Sequence, residues 1–160
     1  PIVFDIFPQG GIGYCFDTTR TYVLGKPSRE LKAMHETVLE AQLTALDNLR
    51  EGANAKEVTE LVCNIFERKS YKTQRDLMKG DRKAETEGFI HSLGHGIGLT
   101  IGERPNLSIL FDESLKEGQV TSVEPGLYKP GLGGVRIEDI VVVRKSGIQN
   151  LSTLDKALMV

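Results

Sequence analysis

The sequence predicts an α+β domain in which helices cover one face of an antiparallel sheet. Two observations predict this class: a length of 160 residues, which suits one domain, and an element order of strand pair, helix pair and further strands. Hydrophobic residues make up 39% of the chain and charged residues 26%, which is ordinary for a soluble globular protein. The net charge of −2 provides no field that would attract nucleic acid or an anionic membrane surface.

The first predicted elements are two strands, at residues 2–7 and 13–24, joined by a turn at residues 8–13 that is rich in Pro and Gly. The chain starts at Pro1 without a Met, and its first residues already have the pattern of a buried strand. We therefore interpret the sequence as the later part of a longer protein.

Two amphipathic helices follow. Ser28 is a candidate N-cap for a helix that runs towards Gly52, and the second helix is predicted at about residues 55–69. Residues 71–88 are highly charged, which favours a solvated, mobile loop with some helical character. The rest of the chain is predicted as strand and loop, with strands at residues 119–124 and 148–154 and one continuous strand at residues 133–144.

Four acidic residues lie in apolar strand-like segments, where a carboxylate is costly unless it is paired or bound to a metal. They are Asp5, Asp17, Glu124 and Glu138. Alternatives for the first two are a turn cap or an ion pair with Arg20, and the alternative for Glu138 is an ion pair with Arg136. Four inward acids nevertheless exceed the evident basic partners, so the pattern favours bound cations.

His95 is the candidate imidazole ligand, because Gly94, Gly96 and Gly98 surround it and allow the backbone to approach closely. The same glycines disfavour a helix, which weakens the alternative of a zinc pair formed by His91 and His95. His35 lies on the first predicted helix and is interpreted as structural. Four carboxylates and one imidazole suit two divalent ions, a centre typical of amide, ester or phosphoester hydrolysis.

Five segments, in this order, resemble the pita-bread metallopeptidases, the clan of methionine aminopeptidase, aminopeptidase P and prolidase. The segments are Phe4-Asp5, residues 14–21 (Tyr-Cys-Phe-Asp-Thr-Thr-Arg-Thr), residues 94–99 (Gly-His-Gly-Ile-Gly-Leu), residues 123–128 (Val-Glu-Pro-Gly-Leu-Tyr) and residues 134–139 (Gly-Val-Arg-Ile-Glu-Asp). The resemblance implies a pita-bread (creatinase/aminopeptidase) fold. It also implies that Asp5, Asp17, His95, Glu124 and Glu138 bind two divalent metal ions, with Mn²⁺ favoured and Co²⁺, Fe²⁺ or Zn²⁺ permitted.

The subgroup is indicated by His91, four residues before the metal-binding His, and by Arg136, two residues before the last Glu. Both are typical of the enzymes that cleave Xaa-Pro bonds. The resemblance therefore implies an aminopeptidase P or prolidase type of exopeptidase whose substrate is a peptide with proline at the second position. In that reading His91 contacts substrate, Glu124 also transfers a proton to the leaving nitrogen, and Arg136 orients an acidic ligand.

Two departures from the family pattern qualify this reading. Gly102 stands where these enzymes have a His, a change expected to cost roughly 10²- to 10³-fold in rate by analogy with one oxyanion donor. In addition, the resemblance implies that residues 1–160 are only the C-terminal portion of the catalytic domain, without its N-terminal half or any N-terminal domain. We therefore expect this chain to be inactive alone and to bind metal weakly.

Three further expectations complete the reading. Cys15 and Cys63 are interpreted as free thiols, which favours the cytoplasm, and the parent protein is expected to be a homodimer. Two other functions remain open on the same fold. One is a creatinase-like C–N hydrolase, which works without metal. The other is a catalytically impaired binding module, which is consistent with Gly102 in place of the usual His.

Overall fold

The computed structural model describes residues 1–159, in which two strands come first, helices follow, and seven strands complete the chain. The strands are β1 (Ile2–Ile6), β2 (Thr18–Tyr22), β3 (Gly94–Ile97), β4 (Ile101–Leu107), β5 (Val120–Val123), β6 (Gly126–Lys129), β7 (Gly133–Arg136), β8 (Asp139–Arg144) and β9 (Gly147–Asn150). The helices are α1 (Arg29–Asn48), α2 (Ala55–Arg68) and the short α3 (Gln74–Met78), followed by one 3₁₀ turn at Arg82–Glu85.

The strands form three antiparallel sheets. The largest has five strands in the order β4-β3-β5-β8-β9, while β1 pairs with β2 and β6 pairs with β7. Helix α1 packs against β5, β6, β7 and β9, and α2 packs against α1 and β4. The predicted α+β class with an antiparallel sheet is therefore confirmed.

Both long helices begin at residues whose side chains accept backbone hydrogen bonds. Ser28 Oγ accepts from the Leu31 amide at 3.1 Å, as the sequence predicts, and Asn54 accepts from the amides of Lys56 and Glu57. The apolar stripes of the two helices join inward strand residues in one core. Its fully buried members include Met34, Val38, Val62, Phe66, Val123 and Val141.

The charged segment at residues 71–88 contains α3 and the 3₁₀ turn, which agrees with the predicted helical character. Thr73 caps α3, and the Asp76 carboxylate accepts from the Thr73 amide in return. Thr73 is fully buried and its hydroxyl donates to Glu67 at 2.8 Å, so α2 anchors the start of this segment.

Three details of the predicted strands are wrong. The expected continuous strand at residues 133–144 is divided into β7 and β8 by a break at residues 137 and 138. The predicted strand at residues 13–24 is shorter, because β2 spans only Thr18–Tyr22 and residues 13–17 contribute only an isolated bridge between Cys15 and Gln9. The strands β4 and β6 were not expected.

Of the helices within residues 1–159, none combines the length and apolarity needed to cross a membrane.

Candidate metal centre

The five predicted metal ligands surround one cavity of about 360 Å³. The residues that line it are Asp5, Phe7, Asp17, His95, Ile101, Glu124 and Glu138. They come from β1, the segment before β2, the two strands β3 and β4, the end of β5 and the break between β7 and β8. The sheet arrangement thus brings together acids that are up to 133 residues apart in the sequence, from Asp5 to Glu138.

Asp5 and Asp17 lie next to each other because β1 pairs with β2. Asp5 is opposite Thr19 in this register, and Asp17 directly precedes β2. Burial, followed by the charge of Asp5, raises the pKa of Asp17. The alternative partner is excluded, since the guanidinium of Arg20 pairs with Asp139 at 2.7 Å instead.

His95 presents one ring nitrogen to the acids. Its Nε2 lies 3.3 Å from Glu124 Oε1 and 3.7 Å from Asp17 Oδ2. Its Nδ1 lies 3.2 Å from the Gly96 carbonyl oxygen and accepts from the Gly102 amide at the same distance. The β3–β4 register shifts on both sides of Gly96, which is how a bulge redirects a side chain.

The glycines beside His95 permit a close approach of neighbouring backbone. A Cβ atom at Gly94 would lie 2.1 Å from the Ser122 carbonyl oxygen, and one at Gly96 would lie 2.2 Å from that of Arg104. Any larger residue would push β3 away from the strands on either side. The close approach expected from the sequence is therefore present at both positions.

Glu124 lies just after β5, and its side chain is 14% exposed. The Ser122 hydroxyl donates to Glu124 Oε1 at 3.0 Å, which helps to aim the carboxylate at His95. Burial raises the pKa of Glu124 above its ordinary value, although the nearby His95 and Arg136 oppose this effect.

Glu138 occupies the break between β7 and β8 and is 1% exposed. The Thr19 hydroxyl donates to Glu138 Oε2 at 2.6 Å, while Oε1 is buried without a hydrogen-bond partner among residues 1–159. Burial, followed by the charges of Glu124, Asp17 and Asp5, raises the pKa of Glu138 to about 8. An unpartnered buried carboxylate oxygen is costly, so this atom favours a cation at the cavity.

Arg136 does not pair with Glu138, so that alternative is wrong. Its guanidinium pairs with Asp5, and its Nε lies 4.0 Å from Glu124 Oε2. The break at residue 138 removes the strand periodicity on which the expected ion pair depended. The positive charge of Arg136 instead partly balances the carboxylates of Asp5 and Glu124.

A relay of side chains connects Arg136 to His91. Arg136 Nη1 donates to the Tyr128 hydroxyl at 3.0 Å, which lies 3.0 Å from His91 Nε2. His91 Nδ1 lies 2.8 Å from the Ser92 carbonyl oxygen, so Nδ1 carries the proton and Nε2 accepts from Tyr128. Burial, with a smaller contribution from Arg136, lowers the pKa of His91 to about 4. The imidazole is therefore neutral near pH 7.

His91 lies on the wall of a neighbouring cavity of about 410 Å³ rather than among the residues that line the acidic one. Tyr128 was not singled out from the sequence, although it ends the quoted segment at residues 123–128. Glu103 accepts from the Thr100 amide at 2.8 Å, and Arg104 pairs with Glu113 at 3.1 Å.

The donor set fits divalent metal ions. Ligand atoms of Asp17, His95 and Glu138 lie within 4.8 Å of one another, and Asp5 and Glu124 line the same cavity. Carboxylate oxygens with one imidazole are suitable ligands for ions such as Mn²⁺. The unpartnered oxygen of Glu138 supplies an independent reason to expect a cation at this position.

The model of metallopeptidase family M24 matches residues 1–145. The chain belongs to this family. A similar protein, the Xaa-Pro dipeptidase of Pyrococcus furiosus, is 40% identical over 146 residues, which are 91% of this chain and 38% of that protein. The chain therefore spans well under half the length of this dipeptidase.

Solved structures of the family have the same fold. The X-Pro aminopeptidase of Thermotoga maritima is 37% identical with a TM-score of 0.84, and the match covers 99% of this chain and 41% of that one. The prolidase of Pyrococcus horikoshii is 36% identical with a TM-score of 0.82, covering 98% of this chain and 41% of that one. These likenesses confirm the pita-bread, prolidase-type family expected from the sequence.

Proposed function

We propose that the protein containing this chain is a dinuclear-metal exopeptidase that hydrolyses Xaa-Pro peptide bonds. The single observation that carries the proposal is the convergence of five metal-binding side chains on one cavity that holds an unpartnered buried carboxylate oxygen. Similar proteins named Xaa-Pro dipeptidase and X-Pro aminopeptidase support the substrate class, a peptide with proline at its second position.

In this proposal the two ions, with Mn²⁺ favoured, are held by Asp5, Asp17, His95, Glu124 and Glu138. Divalent ions in such centres lower the pKa of bound water and polarise a substrate carbonyl group. The charge distribution supports the assignment, because four carboxylates face the cavity with Arg136 as the basic partner among the described contacts.

Glu124 is assigned a second role as the group that transfers a proton to the leaving nitrogen. Its carboxylate lies 3.3 Å from His95 at the edge of the acidic cavity, and the Ser122 hydroxyl restrains it there. Arg136 is assigned to orient Asp5, with which it pairs. His91 is assigned to substrate binding. Its bond to Tyr128 supports an indirect link to the site through Arg136.

The whole protein is proposed to be a cytoplasmic homodimer. Support for a reducing compartment comes from Cys15 and Cys63, both of which are free thiols. Residues 1–160 are proposed to be the C-terminal portion of the catalytic domain. The short match to longer relatives supports this, as do the large apolar side chains of Ile2, Phe4, Ile6 and Phe7, which are 48–60% exposed.

Kinetics with an Xaa-Pro dipeptide and a longer Xaa-Pro peptide would test the proposal in the intact protein with added Mn²⁺. We expect turnover that Glu138→Ala abolishes and that His35→Ala changes by no more than a few-fold, because His35 lies on α1 away from the acidic cavity. Equal effects of the two substitutions would contradict the ligand assignment. The isolated 160-residue chain should show no turnover above a Mn²⁺ blank.

Gly102 favours one second candidate, a binding module that has lost catalysis. Its backbone amide contacts His95, but it has no side chain to donate to a substrate carbonyl group. The same assay separates the two functions, since a binding module would retain Xaa-Pro peptide without hydrolysing it. Turnover that survives complete removal of metal would instead favour the creatinase-like alternative.

A further inference from the structure

We propose that the hydroxyl group of Thr19 is a positioning group that sets the orientation of the Glu138 carboxylate and thereby the metal affinity of the site. This inference rests on the proposed metal centre and deepens it. Thr19 lies in β2, is fully buried, and is separated from Glu138 by 119 positions in the sequence.

The first support is that Glu138 lacks the usual restraint of a strand residue. It lies between β7 and β8, so its backbone bonds to β2 rather than to a neighbour in either sheet. Its amide donates to the Thr19 carbonyl oxygen at 3.0 Å, and its carbonyl oxygen accepts from the Thr18 hydroxyl at 3.3 Å and from Arg20. Strand β2 therefore holds the backbone of Glu138, and the Thr19 hydroxyl extends this hold to the carboxylate.

The second support is the direction of the hydrogen bonds at Thr19. Its Oγ1 accepts from Arg136 Nε at 3.1 Å and donates its single proton to Glu138 Oε2 at 2.6 Å. The donor Arg136 also fixes which way the hydroxyl proton points, because the hydroxyl oxygen is already accepting from it. A positively charged donor behind the hydroxyl strengthens the bond to the carboxylate.

The third support is the contrast between the two oxygens of Glu138. Oε2 is held by Thr19, whereas Oε1 is buried and has no protein partner within residues 1–159. With Oε2 anchored, rotation is restricted in a carboxylate that has one oxygen within 4.8 Å of ligand atoms of Asp17 and His95. Loss of the hydroxyl would free this rotation while leaving every metal ligand in place.

Three substitutions in the intact protein test the inference by calorimetric titration with Mn²⁺. Thr19→Val removes the hydroxyl at nearly constant shape, and we expect roughly 10- to 100-fold weaker binding, as is typical when a group that orients a metal ligand is lost. Thr19→Ser keeps the hydroxyl and should bind within a few-fold of the unsubstituted protein. Thr59→Val is the matched control, because Thr59 is also fully buried but donates within α2 to Ala55.

Metal-free circular dichroism and thermal unfolding establish that each variant folds, and Thr19→Ala replaces Thr19→Val if valine prevents folding. Binding by the hydroxyl-free variant within two-fold of the unsubstituted protein would overturn the inference and leave the metal centre intact. A tenfold loss in Thr19→Ser would also overturn it, since the hydroxyl is still present. Absence of binding in the unsubstituted protein would overturn the proposed metal centre itself.

Discussion

Replacing Glu138 with Gln should make the metal-free chain more stable near neutral pH while removing a proposed metal ligand. In the fold, the pKa of Glu138 is about 8 because of burial and neighbouring acids, against an ordinary value of 4.5. Between these values the unfolded carboxyl is ionised while the folded one keeps its proton. The stability that the protonated Glu138 carboxyl group contributes is therefore fully present below about pH 4.5 and is lost as the pH rises towards 8.

The magnitude follows from one proton taken up on folding, which corresponds to about 1.36 kcal/mol for each pH unit. From pH 5 to pH 7, Glu138 should lower the free energy of unfolding by about 2–3 kcal/mol. The Gln side chain keeps an oxygen for the Thr19 hydroxyl but has no charge to desolvate, so this contribution should vanish in Glu138→Gln.

Chemical denaturation of the 160-residue chain in a metal chelator, at pH 5, 6, 7 and 8, measures the difference between the two proteins. We expect the advantage of Glu138→Gln to grow across this range. Glu51→Gln is the control, because it makes the same change from carboxylate to amide at an exposed residue in the turn between α1 and α2. Parallel curves for the unsubstituted chain and Glu138→Gln would refute the reasoning.

Three further predictions concern residues around the site. If Gly102 removes one oxyanion donor, Gly102→His should raise kcat by roughly 10²-fold at best, but Gly102 has a φ of +85°, where a side chain costs about 1–2 kcal/mol. Steady-state kinetics should therefore show a smaller gain, and a full 10²-fold increase would mean that the backbone relaxes. The ring proton shifts of His91 should stay constant in NMR spectra between pH 6 and 8, because burial lowers its pKa to about 4; a titration midpoint near 6.5 would contradict the buried relay. Finally, Arg20→Met should destabilise the fold by about 1–3 kcal/mol in denaturant titrations, because it removes one of the two cations paired with fully buried Asp139 and leaves Lys156 at 2.6 Å, and an unchanged free energy of unfolding would contradict this.

The sequence predicted the long helices well, and it singled out residues that the fold brings to one cavity, for a shared physical reason. The apolar spacing and the cap at Ser28 are local signals, and so is an acid such as Asp17 within an apolar segment. The class of fold followed from the order of these elements. To predict that these residues converge on one cavity, the family resemblance was needed as well, because a local pattern contains no information about which distant strands become neighbours.

The errors arise where tertiary contacts override a local pattern. Residues 133–144 have the apolar composition of one strand, yet the chain breaks there so that the Glu138 backbone can bond to β2. Periodicity across that break then assigned the wrong partner to Arg136, which pairs with Asp5 from a distant strand. The part played by Tyr128 could not be predicted, since its hydroxyl is defined only by Arg136 and His91 on other segments.

The close packing around Gly94 and Gly96 limits how this protein can change by mutation. Neither position contributes a functional group, yet a single added carbon atom would overlap a carbonyl oxygen of the next strand. Substitution there should displace the strand that presents His95, and with it the ring nitrogen that faces Asp17 and Glu124. In a saturation library these two positions should therefore tolerate as few alternatives as the proposed ligands themselves, and selection for activity should preserve them as strictly as it preserves the acids.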